Sequence, residues 1–168
     1  MKTKKSILYL LAISFTISLA SCGSTKKQSN KDFYSYYSKE LGVNLTGKED
    51  KELIRVMAAW KGSPYKYGGT SKSGTDCSGF VGSVYSEVYD KKLHRTSRDM
   101  IKDVRKISKK SLDTGDLIFF KTSGRKISHV GIYINDNKFI HAASKGVVVN
   151  DLDQSYYKKA YYKSGKVK

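Results

Sequence analysis

A glycine-rich loop, residues 68–76, runs directly into Cys77, and apolar residues at helical spacing follow it: Phe80, Val81, Val84, Tyr85 and Val88. That period predicts a helix from near Asp76 to about Tyr89, opened by the thiol. A helix start leaves backbone N–H groups unpaired, and with the helix dipole these favour a negative sulfur. A buried stripe behind the first turn would hold the sulfur in place, as a nucleophile requires. A chain built this way must also bring a base to the loop–helix junction.

The N-terminus accounts for the other cysteine. Met1-Lys2-Thr3-Lys4-Lys5 is basic, residues 6–20 are apolar, and the run ends in Leu19-Ala20-Ser21-Cys22-Gly23. The apolar stretch is too short to span a bilayer comfortably and reads as an export signal. Small residues before a cysteine at this place resemble the bacterial lipoprotein signal. That resemblance implies cleavage before Cys22 and acylation of Cys22, as against an ordinary secretory signal with an incidental cysteine. The expected organisation is a signal peptide over 1–21, a lipid-anchored tether and Tyr-rich segment over 22–45, whose residues 32–45 either pack onto the domain as a short helix or belong to the tether, and a catalytic domain over 46–168. No Asp follows Cys22, so the sorting rule known for some Gram-negative lipoproteins points to the outer membrane, facing the periplasm. With Cys22 acylated, Cys77 has no disulfide partner among the two cysteines of the chain.

The formal charge is +17, and removal of 1–21 takes away three lysines and no acid, leaving +14. Such a chain attracts polyanions. No motif of the usual nucleic-acid-binding kinds is present, so nucleic acid is not an expected partner. The carboxylates of peptidoglycan and the phosphates of lipid or lipopolysaccharide fit an exported protein better.

Thr46-Gly47-Lys48-Glu49 has the form of a capping box, with Leu53, Ile54, Met57 and Ala58 on one face of the helix it would start and Val56 and Trp60 flanking it. Residues 23–31 lack periodicity and read as flexible. Thr96 or Ser97 is expected to cap a third, shorter helix carrying Met100, Ile101 and Val104. The pattern then turns to strands: 116–120, 129–134, 138–143, 147–149, and a last one within 156–167. Helices first and antiparallel strands after predict an α+β domain with the N-terminal helices packed on a central antiparallel sheet. No Cys/His spacing suited to a metal occurs, and no cofactor is expected.

His129 and His141 lie on adjacent expected strands. A three-residue turn at Asn135-Asp136-Asn137 would set His129 opposite Ala143 and His141 opposite Gly131, with both rings on one face. A two-residue turn would put them on opposite faces unless a bulge restored the register. On one face they suit a thiol enzyme. One imidazole takes the thiol proton and later protonates a leaving amine, while the other fixes its tautomer. Cys77, His129 and His141 then form a Cys–His–His triad, with the Cys77 N–H as an oxyanion donor.

Six blocks carry a resemblance to the NlpC-type, papain-like cysteine peptidases of bacterial cell walls. They are Trp60-x-Gly62-x-Pro64-Tyr65-x-Tyr67-Gly68-Gly69; Gly74-x-Asp76-Cys77-Ser78-Gly79-Phe80-Val81; Arg95-Thr96-Ser97; Thr114-Gly115-Asp116-Leu117-Ile118-Phe119-Phe120; His129-Val130-Gly131-Ile132-Tyr133; and Phe139-Ile140-His141-Ala142. The resemblance implies Cys77 as nucleophile, His129 as base, His141 as third polar residue and the Tyr65 hydroxyl as an oxyanion ligand. It also implies cofactor-free hydrolysis of amide bonds in peptidoglycan stem peptides or crosslinks. Ser78 and Asp76 flank the thiol and join Tyr65 as candidate oxyanion or substrate-binding residues, although Asp76 also suits an N-cap. Tyr67 reads as a packing residue. His94 stands where the family commonly has Pro. A monomer is expected. The alternatives are a non-catalytic wall-binding lipoprotein and a thiol acyltransferase on the same fold.

Overall fold

The structure, a computed structural model, describes residues 22–168, with side chains from residue 27 onward. The expected signal peptide over 1–21 lies outside the described residues, as does the Cys22 side chain. Among the described residues no helix is long and apolar enough to cross a membrane.

The chain is α+β. Helix α1 (Cys22–Leu41) and helix α2 (Lys51–Trp60) precede a small hairpin of β1 (Thr70–Ser71) and β2 (Gly74–Thr75), and α3 (Cys77–Tyr89) follows. The strands β3 (Val104–Ile107), β4 (Leu117–Phe120), β5 (His129–Asn135), β6 (Lys138–Ala143) and β7 (Gly146–Asp151) come next, then α4 (Ser155–Ala160) and β8 (Tyr161–Val167). The sheet order is β3-β8-β4-β5-β6-β7, every neighbour antiparallel.

The main core lies between the sheet and the N-terminal helices. α2 contributes Leu53, Ile54, Val56, Met57 and Trp60, and α3 contributes Phe80, Val81, Val84 and Tyr85. These meet Val130, Ile132, Ile134, Ile140 and Ala142 of the sheet. The opposite face carries a second cluster, Ile118, Phe120, Tyr133, Phe139 and Leu152, against which Tyr157 of α4 packs. β4 is apolar throughout because it feeds both layers: Leu117 and Phe119 enter the first, Ile118 and Phe120 the second.

Several expectations are corrected. Residues 23–31 are helical rather than flexible, because α1 continues into Phe33, Tyr34 and Tyr37, which pack on the core. Leu41, Val43 and Leu45 are themselves buried core residues, so of the two readings of residues 32–45 the one that packs them onto the domain holds. The first capped helix starts at Lys51 with Asp50 as N-cap, not at Thr46. Glu49 instead folds its carboxylate back onto the N–H groups of Thr46, Gly47 and Lys48, closing a loop. Beyond Thr96 there is only a 3-10 turn, Met100–Lys102. Val104, expected on a helical face, pairs with Val167 instead, because β8 offers it a ladder.

The β5–β6 turn decides where the histidines point. Its two tip residues, Asp136 and Asn137, have φ of 50° and 56°, a left-handed pair that Asp and Asn tolerate and a two-residue hairpin requires. Asn135 therefore pairs with Lys138, but the register shifts by one before Tyr133, which pairs with Phe139. The bulge at Ile134 restores the pairing that a three-residue turn would have given.

Candidate active site

Asp76 caps α3, its Oδ1 accepting from the Gly79 N–H at 2.7 Å. The same carboxylate accepts from the Gly68 N–H at 2.9 Å and from both terminal nitrogens of Arg95, at 3.0 and 2.7 Å. It also accepts from the Ser78 hydroxyl at 3.2 Å, which in turn accepts from Arg95 at 2.9 Å. The lone pairs of Asp76 and Ser78 are thus spent inside the protein. They lash the thiol loop, the start of α3 and the Arg95 segment together. Bidentate pairing of this kind is strong and directional, and it holds the Asp76 carboxyl below the ordinary carboxylate range despite its burial.

Cys77 opens α3 as a free thiol, largely shielded from solvent. Burial pushes the thiol up from its ordinary value, and the Asp76 charge adds to this, while the backbone N–H groups of Val130, Ser78 and Cys77 act the other way. The helix start alone predicts a stabilised thiolate, but desolvation wins. The resting sulfur is protonated and requires a base.

Both histidines project from the sheet face that bears Phe120 and Phe139, against which their rings lie. His129 Nε2 and His141 Nδ1 are 2.6 Å apart. His129 is the first residue of β5, and Cys77 at the start of α3 packs against the core cluster to which the next residue, Val130, belongs. The helix that Cys77 opens thus packs against the strand that begins with His129. The site's side-chain hydrogen bonds run outward from His129 to His141, and none includes the sulfur. Catalytic bonds of this kind often close only when substrate binds.

Burial lowers His129 to about 3, with the neighbouring His141 ring adding to the effect. It lowers His141 to about 4, against an opposing contribution from Asn150. The thiol and both imidazoles are therefore neutral at rest, and for the histidines this has a sign in stability. As pH falls below the ordinary 6.5, the unfolded chain takes up protons that the folded histidines refuse, so folding stability is lost on acidification until their folded values are passed. The unfolding free energy, read by urea titration between about pH 6.5 and 4.5, is expected to fall with a slope approaching about 1.4 kcal/mol per pH unit for each histidine. His141→Phe should flatten that slope, and an unchanged slope would refute the assignment.

Tyr65 stands beside this group through a parallel bridge with Thr75. Partial burial, then Cys77 and Asp76, push its hydroxyl up, so it remains a protonated donor at neutral pH. Tyr67 is 89% exposed, which corrects its reading as a packing residue: the turn at Gly68 aims it at solvent. His94 is tied to Asp103 by its backbone N–H at 2.8 Å and by its ring at 2.7 Å, so it anchors the loop that a proline would have stiffened. Among the described residues no cluster of His, Cys, Asp and Glu could hold a metal ion.

Sequence reasoning missed Asn150. It carries no local signal, and only the pairing of β6 with β7 sets it opposite Phe139 and so on the face of His141.

A family model described as the NlpC/P60 family matches residues 62–166. The chain is 32% identical over 168 residues to the murein DD-endopeptidase MepS/murein LD-carboxypeptidase of Escherichia coli K12, covering 94% of this chain and 89% of that one. It is 41% identical over 119 residues to a probable endopeptidase NlpC homolog of Haemophilus influenzae, covering 70% of this chain and spanning only 63% of that relative's length. Among solved structures, an NlpC/P60 family protein from Bacillus cereus superposes with a TM-score of 0.64 at 31% identity, over 69% of this chain and 39% of the other.

Proposed function

The chain belongs to the NlpC/P60 family, and from that premise we propose that it is a cysteine endopeptidase that hydrolyses amide bonds in peptidoglycan stem peptides or their crosslinks. The observation that carries the reading is the 2.6 Å bond between His129 and His141, with His129 at the start of the strand that packs against the helix opened by Cys77. The names of the relatives, murein endopeptidase among them, supply the substrate class.

In this reading His129 accepts the thiol proton as sulfur attacks the carbonyl carbon. The carbonyl oxygen becomes an oxyanion, held by the Cys77 N–H and the Tyr65 hydroxyl. Collapse of the tetrahedral intermediate expels the amine, which takes its proton from His129 and leaves a thioester on Cys77. Water then gives a proton to His129, attacks the thioester and releases the carboxylic acid, and the thiol is restored. His141 orients His129 and stabilises its transient imidazolium. Asp76 and Ser78 keep the thiol loop in register.

The test is digestion of purified peptidoglycan with wild type and Cys77→Ala, read by mass spectrometry of the released muropeptides. New peptide ends with the wild type alone are expected; unchanged muropeptides from folded wild-type protein would refute the reading.

The catalytic unit works from a membrane. We propose cleavage of 1–21 and acylation of Cys22, with α1 leading from the lipid, outer membrane facing the periplasm, to the domain. The mature protein is expected to be heavier than residues 22–168 by its acyl groups, and Cys22→Ala to move it from the membrane to the soluble fraction. A mature mass without added lipid would overturn the anchor.

A further inference from the structure

His129 and His141 are neutral when the enzyme rests, so each carries one ring proton, and which nitrogen bears it decides whether His129 is a base at all. The answer lies at the far end of the hydrogen-bond chain. Asn150 stands on β7 with its Oδ1 2.9 Å from His141 Nε2. Its Nδ2 donates to Gln154 Oε1 at 3.2 Å, and the Tyr157 hydroxyl donates to the same Oδ1 at 3.4 Å. Both contacts turn the amide oxygen, not the nitrogen, toward His141.

An oxygen can only accept, so His141 Nε2 must carry its ring's proton. His141 Nδ1 is then an acceptor, and the atom facing it at 2.6 Å, His129 Nε2, must donate. That leaves His129 Nδ1 as a lone pair. Were the amide reversed, each proton would shift to the other nitrogen of its ring, and His129 would present an N–H where it should accept. The Tyr157 hydroxyl also lies 3.3 Å from His141 Nε2, within reach to compete for that nitrogen, so the Asn150 carbonyl has to hold the tautomer against it.

We infer that Asn150 is a positioning residue that sets the tautomer of His141 and, through it, of His129, so that His129 Nδ1 is the free proton acceptor. The inference rests on the thiol-peptidase reading for its use in catalysis, but not for its structural content. Gln154 and Tyr157 orient the amide in turn, which makes the β7–α4 segment part of the catalytic framework although none of its residues touches the reacting atoms.

Two variants and one spectroscopic measurement test it. Asn150→Leu removes the acceptor and is expected to lower kcat about 10–100-fold with KM little changed, by analogy with the loss seen when the hydrogen-bond partner that orients a metal-bound histidine is removed. Asn150→Asp keeps an acceptor at the same place and adds a charge that favours imidazolium. It should retain kcat within about threefold and move the acid limb of the pH–rate profile upward, which a residue that merely fills space would not do. Nitrogen-15 NMR of the histidine rings reads the tautomers without substrate. Both rings should be protonated at Nε2 in wild type and Asn150→Asp, and mixed in Asn150→Leu. The inference is overturned if Asn150→Leu keeps wild-type tautomers or wild-type kcat. If wild type cuts no peptidoglycan yet shows the expected tautomers, lost in Asn150→Leu, the inference stands and the substrate reading falls.

Discussion

His129→Ala is expected to abolish peptidoglycan cleavage as completely as Cys77→Ala, with kcat/KM lowered by about 10⁴-fold or more in each. The equality follows from the protonation states. In a site where a thiolate already existed, loss of the base would leave part of the nucleophile intact. Here burial and the Asp76 charge push the thiol up, while burial lowers His129 to about 3 and so keeps it neutral at pH 7. Neither group is activated before the other acts. The double variant should therefore be no slower than either single one, because groups that act as a unit do not contribute additively. His141→Ala should fall between these variants and wild type, since in the proposed mechanism it orients and stabilises His129 but exchanges no proton with substrate. Steady-state rates on a defined stem peptide would check the series. A His129→Ala enzyme within about tenfold of wild type would mean that a preformed thiolate does the work.

What the sequence disclosed about this site depended on the range of the interaction involved. Cys77 at a helix start was legible because loop, cap and apolar stripe are all local. The shared face of His129 and His141 was legible only under a condition on their turn. The structure meets it by an unexpected route, a two-residue turn with a bulge at Ile134. Interactions between distant segments were not legible. Residues 23–31 show no apolar period, and α1 forms around them because Phe33, Tyr34 and Tyr37 find a core to pack on. Glu49 looked like a capping residue because Thr46 stands three positions before it, yet its carboxylate closes its own loop while Asp50 takes the cap. Val104 fitted a helical stripe and was drawn into a strand by β8, whose partner residue Val167 lies 63 positions away in the chain. Asn150 belongs to the same class, because its value to His141 exists only once β6 and β7 pair.

The second large effect is expected from a methyl group. In Gly79→Ala, the added Cβ would stand 2.0 Å from the Gly69 carbonyl oxygen and 3.1 Å from Asp76 Oδ1. The obstacle is backbone, so no side chain can swing aside; the loop of residues 68–76 must move off the first turn of α3. That oxygen is an anchor, accepting from the Asp76 N–H at 3.2 Å and the Thr75 hydroxyl at 3.4 Å. Displacing it strains the cap that Asp76 makes to Gly79 itself. Overpacking of this kind costs about 1–3 kcal/mol of stability. The functional loss should be larger in proportion, because a shift of about 1 Å in a catalytic group costs about 10²-fold in rate, and the residue that moves is next to the thiol. Gly82, one turn further along α3, supplies the control. A Cβ there meets nothing nearer than Met100 Cε at 3.7 Å, so Gly82→Ala should gain about 0.5–1 kcal/mol from helix propensity and keep full activity. Urea unfolding and peptide cleavage measured on both variants separate the two sites. A Gly79→Ala enzyme as stable and active as wild type would mean that the loop yields freely, and that the thiol is held by α3 alone rather than by the lashing of Gly69, Asp76 and Gly79 around it.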